Sequence, residues 1–330
     1  MDTNELPAPI IQTPPGRAWP KVDLSDLTVL AVLLAIVAYL SFSTSSFLST
    51  ANLMAILVAV SLIAIVACGQ TFVVITGGID LSSGSVVALS GICAAMAMQN
   101  HVPVVLAVPI GILVGAACGL FNGMAVTWLG MNPFIVTLAS LAMARGLAFI
   151  LPNGATLFGF DESFDAIGGG LVHSFPIAGI ISLVVLGVAT FVLGKTVFGS
   201  EVYSVGGNRE AALMTGIPVQ RTLLSVYVIS GALAGLGGII LAGRLDSAQP
   251  IAATGLELNS IAAVVIGGAS LFGGRGSMLG TILGVLLIGV INNGLTLHNV
   301  EPFWVQFIQG AVIFLAVLLD SLSNKRKASS

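Results

Sequence analysis

The residues of this chain able to do chemistry are the few polar side chains set inside long apolar runs: Gln70, Thr71, Asn122, Asn259, Asn292, Asn293, Gln306 and Gln309. Amides and hydroxyls at such positions offer neutral hydrogen bonds, either to a polar solute moving along a pathway or to the next helix. Two charges join them. Asp80 lies in Thr76-Gly77-Gly78-Ile79-Asp80-Leu81-Ser82-Ser83-Gly84-Ser85, where paired glycines and a carboxylate interrupt an apolar run. Two readings of it stand side by side. Asp80, Ser82 or Ser83 caps the helix that starts near Ser85, or the break lines a gate near the cytoplasmic end of a pathway. Arg145 belongs to a span that begins at Pro133 and sits nearer its outer end. From there a guanidinium reaches either the membrane surface or a hydroxyl-bearing solute.

Catalytic and metal chemistry are not indicated. His101, His173 and His298 are scattered, and Cys68, Cys93 and Cys118 show neither CxxC spacing nor histidine company, so no metal site or cofactor is expected. Gly194-Lys195-Thr196 looks like the end of a phosphate-binding loop, but Ala189 holds the position of the required earlier glycine and the tripeptide follows an apolar run. No converging Ser, His, Asp, Glu or Cys set suggests an enzyme.

The elements that must position these groups are membrane helices. Of 330 residues 56% are hydrophobic and 8% charged, against about a quarter charged in soluble domains, and the mean hydropathy is +1.07. With a net charge of -3 and no basic patch, nucleic acid is set aside as a partner. At about 20 apolar residues per crossing, the candidate spans are Leu27–Phe47, Ala51–Ala67, Ser85–Met98, Val102–Leu129, Pro133–Leu151, Pro176–Leu193, Leu223–Ala242, Leu258–Ile266, Met278–Leu297 and Phe303–Leu322. The expected fold is an all-α polytopic membrane protein of about ten transmembrane helices. Residues 1–26, proline-rich and polar, read as a disordered cytoplasmic tail, residues 27–322 as the membrane domain, and residues 323–330 as a basic cytoplasmic tail.

Placing both termini inside puts Arg17, Lys21, Lys195, Arg209, Arg221, Arg275, Lys325, Arg326 and Lys327 in the cytoplasm. The outer face then receives Asp161, Glu162 and Asp165 in the loop of residues 152–175, with Asp246, Glu257 and Glu301. Gly119-Leu120-Phe121-Asn122-Gly123 before Asn132-Pro133-Phe134 is echoed by Gly289-Val290-Ile291-Asn292-Asn293-Gly294 before Pro302-Phe303. The two copies cross in opposite directions, as in an inverted internal repeat. Gly111, Gly115, Gly119 and Gly123, with Gly231/Gly235 and Gly280/Gly284, line helix faces without side chains, and close helix packing is favoured over a place in the pathway.

Residues 195–221 carry a compact motif, Tyr203-Ser204-Val205-Gly206-Gly207-Asn208-Arg209-Glu210-Ala211-Ala212-Leu213-Met214-Thr215-Gly216-Ile217-Pro218, read as a short helix between a Gly-Gly turn and a Gly-x-Pro stop. It is too small to anchor in lipid headgroups and better shaped to enter a groove on another protein.

That segment resembles the coupling loop of the ribose-type ABC importer permeases, the membrane subunits of binding-protein-dependent sugar transport. The likeness extends to Gly69–Ser85, to Ala263–Gly268 and to Leu271–Ser277, and covers about Leu48 to Asp320. The resemblance implies a homodimer in the bacterial inner membrane working with a cytoplasmic ATPase and a periplasmic sugar-binding protein. It assigns coupling to the ATPase to Gly206, Gly207, Asn208, Glu210, Ala211, Ala212 and Gly216. The translocation pathway is expected among Gln70, Asp80, Asn122, Asn259, Asn292 and Asn293. Docking of the binding protein is expected on Asp161, Glu162, Asp165, Asp246 and Glu257. The alternative is a self-sufficient ion-coupled carrier, which normally sets several ionisable residues at mid-membrane.

Overall fold

In the computed structural model the described residues are 24–301 together with 303, 304, 307, 308, 310, 311, 314 and 318. The expected tails thus lie outside them apart from residues 24–26, as do Gln306 and Gln309. The helices are α1 (Leu24–Ser43), α2 (Thr50–Ile75), α3 (Ser83–Gln99), α4 (Val104–Thr127), α5 (Pro133–Ile150), α6 (Glu162–Gly169), α7 (Ile177–Lys195), α8 (Val197–Gly207), α9 (Arg209–Met214), α10 (Val219–Leu245), α11 (Leu256–Ile266) and α12 (Met278–Leu297). Two short antiparallel ladders complete the order, β1 (Leu157–Phe158) with β4 (Ser247–Ala248) and β2 (Leu171–Val172) with β3 (Phe175–Pro176).

Seven of these helices, α1, α2, α4, α5, α7, α10 and α12, are long and apolar enough to cross a membrane, and α3 and α11 are shorter apolar helices. The tenth expected span, Phe303–Leu322, falls largely outside the described residues. Helix starts follow local chemistry. Ser49, Asn132 and Ser277 cap α2, α5 and α12 by accepting from the backbone N–H of Asn52, Phe134 and Gly280, and Pro133 opens α5, where its missing N–H costs nothing. The expected end of the second span at Ala67 is eight residues short, because α2 runs on to Ile75. The polar run Gly69-Gln70-Thr71 stays helical since its side chains find partners. Thr71 Oγ1 donates to Ala67 O at 2.7 Å and lies 2.7 Å from Thr281 Oγ1 of α12.

Helix contact is closest where side chains are missing. A Cβ on Gly115 would strike Gly231 O, and one on Gly231 would strike Gly115 O, so α4 and α10 lie backbone to backbone. Gly280 and Gly284 stand the same way against Gly267 and Ala263 at the end of α11. These stripes serve packing, the favoured reading of their spacing.

The two short helices meet. A Cβ on Gly84, in the first turn of α3, would collide with Glu257 Oε2 in the first turn of α11. From this junction α11 runs to Gly267, beside Gly280 in the first turn of α12, and Gly280 also neighbours Asp26 in the first turn of α1. That end is the one the basic residues place inside. Helix α3 runs the opposite way and turns through His101 into α4.

Candidate functional site

The break between α2 and α3 is the centre of a buried hydrogen-bond network. Asp80 is 1% exposed, and its Oδ1 accepts from the Ser82 N–H at 3.0 Å and the Ser82 hydroxyl at 2.6 Å. Its Oδ2 accepts from Ser230 Oγ of α10 at 2.7 Å. Asn122 of α4 donates through Nδ2 to Ser82 Oγ at 2.9 Å, Gln70 Nε2 of α2 donates to the Asp80 carbonyl, and Thr137 of α5 donates to Ile79 O at 3.2 Å. Irregular backbone at membrane depth survives only inside such a shell. Asp80 organises the turn into α3 through the Ser82 N–H, while Ser82, the residue before the helix, makes no side-chain cap of its own. Among the described residues Gln70 Oε1, Ser83 Oγ and Asn122 Oδ1 are buried here without a partner, so the network keeps hydrogen-bonding capacity in hand.

Of the six pathway candidates, Gln70, Asp80 and Asn122 share this network, and the other three do not. Asn293 exchanges two hydrogen bonds with Asn52, at 2.8 and 3.0 Å, and joins α12 to the opposite end of α2. Asn292 is half-buried near it on α12, and Asn259 is half-buried on α11. Ser230 and Asn52 escape the sequence reading. A single serine or asparagine at a helix face carries no local mark of its partner.

The coupling segment is two helices rather than one. Gly206 and Gly207 form the last turn of α8, not a turn before a helix; the expected turn is replaced because Thr196 caps an earlier start, accepting from Gly199 N–H at 3.2 Å. Asn208 then closes α8 and caps α9, its Oδ1 accepting from Ala211 N–H at 2.9 Å. Gly216, at φ +82°, takes the left-handed conformation that glycine allows and turns the chain toward Pro218 and α10. Ala212 faces inward, 3% exposed, against Val205, Ile217, Val219 and Leu223. The exposed apolar surface of α9 is instead Leu213 at 56% and Met214 at 90%, flanked by Asn208, Glu210, Ala211 and Gly216.

The α8 helix is locked onto both broken regions. A Cβ on Gly206 would collide with Ile75 O, the last carbonyl of α2, and would lie 2.7 Å from Gly274 N, which itself donates to Ile75 O at 2.8 Å. Tyr203 donates to Gly276 O at 2.7 Å, and burial pushes its phenol up to about 12. Helix α8 thus touches both the end of α2 and the Gly267–Ser277 connection between α11 and α12.

At the other end of the bundle, Asp161 caps α6, accepting from the Ser163 N–H at 2.8 Å and its hydroxyl at 2.6 Å, which holds its carboxyl below the usual range. Partial burial, then the neighbouring Asp246, raises Asp165. Asp246 ends α10 in a left-handed conformation, and α6 lies against it through Gly168 and Gly243. Glu257 is the exception among the outer acids. It sits at the α3–α11 junction, half-buried, with Oε1 accepting from the Gly255 N–H at 3.2 Å. Arg145 does not reach for the membrane surface either: its Nη1 donates to Pro250 O at 2.6 Å and Ala252 O at 2.8 Å.

Comparison with known proteins gives the family of the chain. Residues 52–317 match the family model described as branched-chain amino acid transport system / permease component. The chain is 40% identical to the L-arabinose ABC transporter permease protein AraH of Azospirillum brasilense, covering 98% of this chain and 96% of that one. It is 42% identical to the ribose import permease protein RbsC of Bacillus subtilis, over 87% and 90% of the two chains. The D-allose transport system permease protein AlsC of Escherichia coli is 38% identical over 90% and 91%. No solved structure matches. Its helices, its broken spans and these relatives agree that the chain is a multi-pass membrane protein belonging to the permease-component family of ABC importers.

Proposed function

We propose that the chain, as a homodimer, carries a monosaccharide or related polyol across the inner membrane, with ATP hydrolysed by a separate cytoplasmic subunit and the sugar delivered by a periplasmic binding protein. The observation that carries this reading is the attachment of α8 to both broken regions of the bundle through Gly206 and Tyr203. A push on α8 and α9 is delivered where the backbone is already interrupted, next to the network of Gln70, Asp80 and Asn122. A polyol passing there meets neutral donors and acceptors, among them the unpartnered Gln70 Oε1 and Asn122 Oδ1. The three relatives named above are arabinose, ribose and allose permeases, which supports the sugar class.

The test is reconstitution of the chain in proteoliposomes with a candidate ATPase subunit and a candidate sugar-binding protein. ATP-dependent uptake of a labelled monosaccharide is expected. Uptake by the chain alone, driven only by an ion gradient, would sink the reading.

The knob that enters the ATPase is proposed to be the exposed part of α9. Met214→Asp, which sets a charge on a side chain 90% exposed and leaves the core of the loop untouched, should weaken binding of the ATPase by about tenfold or more, as for a desolvated hot-spot contact. Co-purification and titration of the ATPase measure it, and unchanged affinity would remove α9 from the interface.

The binding protein is proposed to dock on Asp161, Glu162, Asp165 and Asp246. Charge reversal of the first three should slow association and flatten its dependence on ionic strength. The pH dependence has a definite order. Because Asp165 is raised and Asp161 lowered, acidification neutralises Asp165 first, and docking should begin to weaken before Asp161 titrates. Loss of docking that follows Asp161 alone would contradict this.

A further inference from the structure

Between β4 and α11 the chain runs from Gln249 to Gly255 as a series of turns, with Pro250 buried, Ala253 at φ +57° and Gly255 at φ +83°. Its carbonyls need donors that lipid cannot supply. Two receive them from a cation. Arg145, from the C-terminal third of α5, donates through Nη1 to Pro250 O and Ala252 O. On its other flank the segment is pressed onto α3, since a Cβ at Gly84 would lie 2.6 Å from Ala253 O and collide with Glu257 Oε2.

The upstream end of the segment is also tied. Ser247 and Ala248 pair with Phe158 and Leu157, and that strand leads directly into Asp161 and α6 on the outer face. A pull on the outer loop is thus transmitted through the β1–β4 ladder to Gln249 and Pro250. A membrane arginine is costly and usually seeks a carboxylate or the interface. Arg145 does neither: among the described residues it makes no ion pair within 4.0 Å, and its hydrogen-bond partners are the two carbonyls. Bonds to neutral carbonyls are severable without stranding a buried counter-charge, which suits a contact that must break and re-form.

We propose that Arg145 is a positioning residue of the transport cycle, holding Pro250–Glu257 as the outer closure over the α3–α11 junction. The inference rests on the importer reading, because the pull it describes comes from a docked binding protein. When the outer loop shifts, Pro250 and Ala252 leave Arg145, and the junction opens to the outside.

The test places a reporter on the segment. Cys68, Cys93 and Cys118 are free thiols, so they are first replaced, and Ala252→Cys is introduced in the full permease in proteoliposomes with its ATPase. Labelling by a membrane-impermeant maleimide should be slow with Arg145 in place. It should rise by about tenfold or more in Arg145→Leu, which loses both hydrogen bonds to the charged donor when either alone accounts for about that factor, and return toward the parent rate in Arg145→Lys. Binding-protein-stimulated uptake should fall in Arg145→Leu while the complex remains assembled on gel filtration. Equal labelling in Arg145→Leu and its parent overturns the proposal, as does faster labelling with uptake unchanged. ATP-driven uptake by the wild type in the same vesicles tests the importer reading separately.

Discussion

Gly206→Val is expected to leave an assembled transporter that hydrolyses ATP and moves almost no solute. Any Cβ at Gly206 collides with Ile75 O and crowds Gly274 N, so α8 must back away from the end of α2 and from the Gly267–Ser277 connection. Overpacking of this kind costs about 1–3 kcal/mol. Spent on the coupling between two sites, that energy corresponds to about 5–150-fold. Solute moved per ATP should fall within that range while basal hydrolysis persists, since the exposed face of α9 is unaltered. Gly194→Ala, where a new Cβ meets open space at the end of α7, serves as the control and should stay within about 0.5 kcal/mol of wild type. Proportional loss of ATPase and transport in Gly206→Val would mean that α8 is scaffold and not a lever.

Asp80→Ala is expected to have the larger effect on stability. It removes the acceptor for the Ser82 N–H, the Ser82 hydroxyl and the Ser230 hydroxyl at once, in a region with almost no exposure. Each stranded buried donor costs about 1–3 kcal/mol, although the two hydroxyls are free to turn to helix carbonyls, so about 3–5 kcal/mol is expected. At about 2–4 °C per kcal/mol this lowers the unfolding midpoint in detergent by roughly 6–20 °C. Asp80→Asn separates fold from charge. Its amide oxygen still accepts from Ser82, and its NH₂ donates to Ser230 Oγ, which has lone pairs to receive it. The Asn variant should therefore keep most of the midpoint. If it also keeps transport, the negative charge is dispensable and Asp80 acts as the knot of the break; if transport alone is lost, the charge belongs to the pathway.

The break at Asp80 is legible in the sequence because two glycines and a carboxylate in an apolar run leave few structural options. Its partners are not. Ser230 is one small polar residue on a 27-residue helix, and only the crossing of α10 over the break brings it to Asp80. The inward face of Ala212 is hidden for a different reason, since α9 is six residues long and offers too few turns for a periodic pattern. The surroundings of Glu257 are hidden because the start of α11 is set too late in the sequence. With that helix beginning at Leu256, the carboxylate falls in its first turn and against Gly84 of α3. The glycine stripes, by contrast, are plain in the sequence, because a spacing of four in an apolar helix has one main structural use.

The paired amides of Asn52 and Asn293 give α2 a fixed point far from where α8 touches it. From Asn52 to Ile75 the helix spans about 35 Å. Each interhelical hydrogen bond in a membrane contributes only about 0.6 kcal/mol on average, enough to bias a position and too little to freeze it. A nudge of about 1 Å at Ile75 then swings α2 through less than about 2° around the amide pair, so the far mouth stays nearly still while the near one yields. One end of the protein is thereby free to part before the other.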